Sequence, residues 1–258
     1  MKVMVVGSGG REHALVRQIS QSRRVTEIYA APGNAGIKDL AQLVDIKASN
    51  IIELADFAQE NDVDLTVVGP EMPLSLGIVD EFNKRNLKIF GPTQRAATLE
   101  SSKVFAKEFM KKAGIPSADF AVFQSAQDAV DHLKKGSFPQ VIKADGLAGG
   151  KGVFICGNIN EAVAAIKTIM VEKKFGKSGS RIIVEDFLEG QEMSFMAISD
   201  GKRALPLVTS MDYKKVLEND RGGNTGGMGA ISPSPQINGK LYNKIMKTVI
   251  IPTVEGMK

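Results

Sequence analysis

Val141-Ile142-Lys143-Ala144-Asp145-Gly146-Leu147-Ala148-Gly149-Gly150-Lys151-Gly152-Val153 is the stretch on which the reading of this chain turns. A β-type run carries one lysine, a glycine-rich turn carries a second, and Val153-Phe154-Ile155 resumes a strand. Glycine has no Cβ and tolerates positive φ, so such a turn can lay successive N–H groups against an anion. With Lys143 and Lys151 beside it, the spacing predicts a hairpin that closes over a polyphosphate. It is not a Walker A loop. The glycine required six residues before the lysine is Asp145, the hydroxyl residue after it is Gly152, and a strand follows where a helix is needed. The same residues also describe an ordinary hairpin with surface lysines, and the flanking sequence has to decide.

At 258 residues, with 43% hydrophobic and 24% charged side chains, the chain reads as globular and as two domains. No apolar run approaches the roughly 20 residues that span a bilayer. Met1-Lys2 leads straight into Val3–Val6, too short for a signal segment, so a cytoplasmic protein is expected. The single cysteine, Cys156, excludes an internal disulfide and continues the apolar run Val153–Ile155, which predicts a core thiol. Of the two histidines, His132 falls on a polar helix and carries no functional signal. A net charge of +4, without a basic block interleaved with aromatics, gives no support for nucleic-acid binding; small anions suffice.

Upstream of the hairpin, strand and helix alternate. Strands are expected at Val3–Val6, Glu27–Ala31, Leu65–Val68 and Leu87–Phe90. Helices are expected at Glu12–Ser20, through Ile51, Leu54, Ala55 and Ala58, and at Gly77–Arg85. Short connections between such units imply a doubly wound parallel sheet. Strand one ends in Gly7-Ser8-Gly9-Gly10-Arg11-Glu12. Its third dinucleotide-fingerprint glycine is replaced by Glu12, and no carboxylate ends strand two, so a nicotinamide cofactor is disfavoured. Pro32-Gly33-Asn34-Ala35-Gly36 and Gly69-Pro70-Glu71 place two more glycine loops on the same rim, where such sheets bind ligands. Each is by itself a plain turn; together they point to a small anion.

From Gly91 the pattern changes to helices at Gln94–Leu99 and Ser102–Lys112, then to a smaller α+β region. Strands are expected at Ala121–Phe123, Gln140–Lys143, Val153–Ile155, Arg181–Phe187 and Ser194–Ser199. Helices are expected from Ser125, at Glu161–Lys173 and from about Lys240, with a polar glycine loop over Asn219–Gly229.

Gly7–Ala14, Pro32–Gly36, Val68–Glu71, Lys143–Gly152 and Asn224-Thr225-Gly226-Gly227-Met228-Gly229-Ala230 together resemble the phosphoribosylamine–glycine ligase (glycinamide ribonucleotide synthetase) family of the ATP-grasp superfamily, in order along the whole chain. The resemblance implies an α/β fold: an N-terminal doubly wound parallel-sheet substrate domain at 1–100, then an α+β ATP-grasp module at 101–258. A flap-bearing subdomain is expected at about 117–190. It implies that ATP phosphorylates glycine and that 5-phosphoribosylamine attacks the acyl phosphate, in purine biosynthesis. By matching position, Lys103, Lys143, Gly149, Gly150 and Lys151 would hold phosphates, Glu185 and Leu188 the adenine through backbone, and Glu192 the ribose. Gly9, Gly10, Glu12, Asn34 and Glu71 would hold phosphoribosylamine. Ser210, Asp212, Lys214, Asn224, Thr225, Gly226 and Gly227 would face glycine and its acyl phosphate, with Lys143, Lys151, Asp212 and Asn224 in the chemistry.

Two departures stand out. Arg221-Gly222-Gly223 precedes Asn224 where the family usually has Gly-Pro. Family members also continue for well over a hundred residues, including the Glu and Asn that bind Mg²⁺ (or Mn²⁺), so protein ligands for the metal are expected beyond residue 258 and none within it. Alternatives are another ATP-grasp ligase, a carboxyphosphate-forming carboxylase, and a non-catalytic nucleotide-binding module.

Overall fold

Met4, Val5 and Val6 expose no surface, because β1 (Lys2–Gly7) is the middle strand of a five-stranded sheet. The computed structural model describes residues 1–149, 151–218 and 221–258, with 221, 223, 224 and 226 described by backbone only. It divides the chain into two units, Met1–Ser101 and Ser102–Lys258.

In the first unit β1 is flanked by β2 (Glu27–Pro32) and β4 (Leu65–Val68), with β3 (Gln42–Leu43) and β5 (Ile89–Phe90) at the edges. Every pairing is parallel, as the alternation of strands and helices predicts. A parallel sheet must be covered on both faces, and successive β1 side chains go to opposite ones. Met4 and Val6 pack with Leu54, Ala55 and Ala58 of α2 (Ile51–Glu60) and Ile78, Val79 and Phe82 of α4 (Ile78–Lys84). Val5 packs with Val16 of α1 (Gly10–Ser20) and with Ile37. Between β4 and α4, where a turn is expected, Glu71 starts the short helix α3 (Glu71–Ser75); α5 (Gln94–Ser101) closes the unit.

The second unit opens with α6 (Lys103–Lys112) and an antiparallel sheet. Its strands are β6 (Phe120–Phe123), β7 (Gln140–Ala144), β8 (Val153–Cys156) and β9 (Ile182–Asp186), in the order β6-β9-β7-β8. One face carries α7 (Ala126–Leu133) and α8 (Ile159–Ile166), capped by Ser125 and Asn158, whose side chains accept from Asp128 N–H and Glu161 N–H. Cys156 lies in this core, and burial, with Glu161 nearby, pushes its thiol up to about 11. The helix expected to run to Lys173 ends as α8 and continues only as a π-helical turn, Lys167–Val171.

The glycine loop expected over Asn219–Gly229 is corrected. Arg221–Ile231 is a strand, β13, paired antiparallel with β12 (Met211–Leu217). Glycine weakens a strand through lost side-chain packing, but a ladder is made by backbone groups, and Met211-Asp212-Tyr213 offers a partner in register with Ile231-Ala230-Gly229. A hairpin of β10 (Ala197–Ser199) and β11 (Ala204–Pro206) precedes it, and α9 (Gly239–Ile245) and α10 (Ile251–Gly256) follow. Among the described residues no helix is long and apolar enough to cross a membrane.

Candidate functional site

In the first unit, register puts Gly7 opposite Pro32 and Val6 opposite Val68, so the three glycine loops leave the carboxyl edge side by side. This is where the order turns outward both ways from β1, the usual ligand crevice of such sheets. The first and the third of these loops close on Glu12, which is 6% exposed. Its Oε2 accepts from Gly9 N–H at 2.6 Å, a bond back to the residue that caps α1. A Cβ on Gly7, which sits at φ +128°, would lie 2.6 Å from Glu12 Cγ, and one on Gly69 2.5 Å from Glu12 Cδ. Glycine is needed at both positions because the carboxylate occupies the space.

Gly9 N–H therefore points at Glu12, and Gly10 begins the helix. Asn34 is committed too: Oδ1 accepts from Gly36 N–H and Ile37 N–H at 2.9 and 3.2 Å, and Nδ2 donates to Ser8 O at 2.8 Å. It ties the second loop to the first. Glu71 is exposed in the first turn of α3.

In the second unit, Lys143 on β7 and Glu185 on β9 form an ion pair through Glu185 Oε1. Lys107 of α6, one helical turn beyond Lys103, lies 2.6 Å from Glu185 Oε2, at an angle outside hydrogen-bond geometry. One buried carboxylate thus separates two lysines. Asp145 organises the root of the glycine hairpin. Its Oδ1 accepts from Ser102 Oγ (3.0 Å) and Val104 N–H (3.1 Å), and its Oδ2 from Arg181 Nε (3.1 Å) and a terminal guanidinium nitrogen (2.5 Å). Lys103 Nζ donates to Gly146 O at 2.8 Å and Ser178 Oγ to Leu147 O at 3.2 Å. Lys151 is exposed, its N–H donating to Ala148 O, and Gly149 sits at φ +56° with open space where a Cβ would go.

Leu188 follows β9 outside any regular element and is 69% exposed. Glu192 pairs with Lys214 at 3.3 Å, and Asp212 with the same ammonium at 3.5 Å. Burial pulls the Lys214 ammonium down, but the two carboxylates outweigh it and raise its pKa. Ser210 makes a reciprocal backbone bridge with Ser194. Thr225 Oγ1 accepts from Gly227 N–H at 3.1 Å. Gly150 lies outside the described residues, and Asn224 and Gly226 are described only by backbone. Among the described residues no three His, Cys, Asp or Glu side chains cluster so as to hold a metal.

Sequence reasoning missed Lys107, Ser102, Asp145 and Arg181. The available signals were the Lys103/Lys107 spacing, which puts both on one helix face, and Ser102 standing at a helix N-cap. Nothing local marks Arg181.

Family models match the whole chain: the phosphoribosylglycinamide synthetase N domain over residues 1–100 and its ATP-grasp (A) domain over 101–258. The chain is 52% identical to a phosphoribosylamine–glycine ligase of Caldanaerobacter subterraneus, covering 100% of this chain and 62% of the relative. It is 49% identical to one of Neisseria meningitidis serogroup B, covering 61% of that protein. The crystal structure of phosphoribosylamine–glycine ligase from Thermotoga maritima superposes with TM-score 0.83 at 33% identity, over 99% of this chain and 61% of that one. The biotin carboxylase domain of Hydrogenobacter thermophilus 2-oxoglutarate carboxylase, at 19% identity and TM-score 0.78 over 99% of this chain and 58% of that one, shares the fold. The chain thus spans about three fifths of the length of the curated relatives it matches.

Proposed function

Because the chain belongs to the phosphoribosylglycinamide synthetase family, we propose that it supplies the phosphoribosylamine-binding and nucleotide-binding parts of an ATP-dependent phosphoribosylamine–glycine ligase. Residues 1–100 are taken as the substrate domain and 101–258 as the ATP-grasp domain, with the glycine hairpin as a flap in a subdomain at about 117–190. In this reading a carboxylate oxygen of glycine takes the γ-phosphoryl group and ADP leaves. The amine nitrogen of 5-phosphoribosylamine then attacks the carbonyl carbon, and phosphate and a proton depart. The amide product is glycinamide ribonucleotide, an intermediate of purine biosynthesis made in the cytoplasm. A divalent cation, taken to be Mg²⁺, would supply further charge neutralisation on the phosphates.

The observation that carries the reading is the Lys107–Glu185–Lys143 cluster beside the root of the glycine hairpin, with Lys103 tied to the same loop. Chemistry of this kind needs no covalent nucleophile; it needs positioned cations where charge moves. Lys143 and Lys103 are suited to the standing phosphates, and exposed Lys151 to a flap that closes and excludes water. Leu188 and Glu185 would offer backbone to adenine, and Glu192 would exchange Lys214 for ribose hydroxyls. Asp212, Lys214, Ser210 and the 224–227 segment are proposed for glycine and its acyl phosphate. In the first unit, Gly10 and Glu71 remain open to phosphoribosylamine, whereas Glu12, Gly9 and Asn34 would shape its pocket through the bonds they already make.

The test is phosphate release from ATP by the protein carried to its relatives' full length, with glycine and phosphoribosylamine added separately and together. Release that needs glycine, with amide formed only when both are present, is expected. Release triggered by bicarbonate instead would move the chain to the carboxylases.

A further inference from the structure

We propose that Lys107 is a positioning residue, which occupies one oxygen of Glu185 so that Lys143 is left with surplus charge for an anionic phosphate chain. The proposal rests on the nucleotide reading of the second unit. Two ammonium groups against one carboxylate leave one positive charge, and burial decides where it resides. Lys107 cannot offer it outward. Its side chain is 11% exposed, and its Nζ is met by Ser117 Oγ at 2.6 Å, Ala118 O at 3.2 Å and Glu185 Oε2 at 2.6 Å, with the Phe120 ring centroid 5.7 Å away. Two of an ammonium's three donors go to Ser117 and Ala118, and the charge rests in ion-pair contact with Glu185.

Lys143 differs. Its side chain is 26% exposed and its one ionic partner among the described residues is Glu185. β6 and β9 fix the frame, since Phe120 is paired with Glu185 in the ladder and Val141, two residues before Lys143, is paired with Glu185 on the other side. Without Lys107, Glu185 becomes a full counter-ion to Lys143, and the pair presents no net charge. A phosphate would then have to compete with a buried carboxylate for the same ammonium. With Lys107 present, Glu185 is already neutralised and only orients Lys143.

The experiment measures binding of ATP and of adenosine, by calorimetry, to the chain and to Lys107→Met, Lys143→Met and Lys107→Met/Glu185→Gln. Adenosine reports the base and ribose contacts and carries no phosphate. Lys107→Met should weaken ATP at least about tenfold, as loss of one member of a close charge set does, with adenosine binding unchanged. Lys107→Met/Glu185→Gln should recover ATP affinity, because with the carboxylate charge gone Lys143 again carries its charge unopposed. If Lys107→Met does not fold, Lys107→Gln keeps a donor for Ser117 and Ala118 and replaces it in every measurement. Equal loss of ATP and adenosine affinity, or no recovery of ATP affinity in Lys107→Met/Glu185→Gln, would overturn the proposal as a purely structural role. An unchanged ATP affinity in Lys143→Met would overturn the nucleotide reading itself, a distinct outcome that removes the proposal with it.

Discussion

Among the described residues each unit buries one glutamate, and each satisfies it differently. Glu12 is held by backbone: Gly9 N–H donates to it, and Gly7 and Gly69 make room by having no side chain. Glu185 is held by charge, between ammonium groups contributed from α6 and from the neighbouring strand. The glycine loops around them differ in the same sense. The loop at Gly7–Gly10 is bonded along its length, to Glu12 and through Ser8 O to Asn34. The hairpin at Gly146–Gly152 is anchored at its root by Asp145, Lys103 and Ser178, while Gly149 has open space where a Cβ would go. A preformed cradle suits a ligand that enters and stays in one geometry. A loop hinged on a charged root suits one that must be covered and then released.

The comparison is most exposed to Glu185→Ala. It leaves two lysines beside an empty position in a buried sheet, and should cost about 3–5 kcal/mol, read as a lower urea midpoint for the second unit. A loss below about 1 kcal/mol, the range of solvent-exposed pairs, would mean that the cluster is effectively solvated. Next is Gly69→Ala, whose Cβ meets the Glu12 carboxylate. Overpacking of this kind costs about 1–3 kcal/mol, and hydrogen exchange should show it in the first unit. Gly149→Ala is the matched control on the other loop. With φ at +56° and nothing beyond its chain neighbours within 4 Å of where a Cβ would lie, only backbone strain remains, about 1–2 kcal/mol. If the two alanine variants cost the same, the contrast between a filled cradle and an open hairpin tip fails.

The smallest effect concerns Cys156. Its thiol pKa is raised from 9.0 to about 11 by burial, with Glu161 adding to it. The unfolded chain then loses the proton first, so the stability tied to the neutral thiol is intact below pH 9.0 and falls as pH rises towards 11. Cys156→Ala should flatten the pH dependence of the urea midpoint over that interval, and the difference from the parent is the measurement. An unaltered slope would place the thiol in contact with water.

Much of this was legible because it is local. The apolar strand Val3–Val6, the helix face of Leu54, Ala55 and Ala58, and the hairpin from Lys143 to Val153 each announce themselves within a dozen residues. The bond from Glu12 to Gly9 spans three residues and is the kind a helix start prefers, yet its consequence, an amide turned inward, was not drawn from spacing. Arg221–Ile231 misled because glycine content argues for a loop, whereas the ladder with Met211–Leu217 needs backbone alone.

The alternation of apolar runs and glycine turns determined, without any structure, a parallel sheet followed by an antiparallel module and the loops that would carry ligands. Only the tertiary structure decided which charges meet. Lys107, Lys143 and Glu185 lie on a helix and two strands far apart in sequence, and Asp145 finds Arg181 across 36 residues. Periodicity governs which face of an element is buried, whereas an ion pair depends on where two elements come to rest against one another. That placement is set by packing of the whole core, to which no short stretch of sequence bears witness.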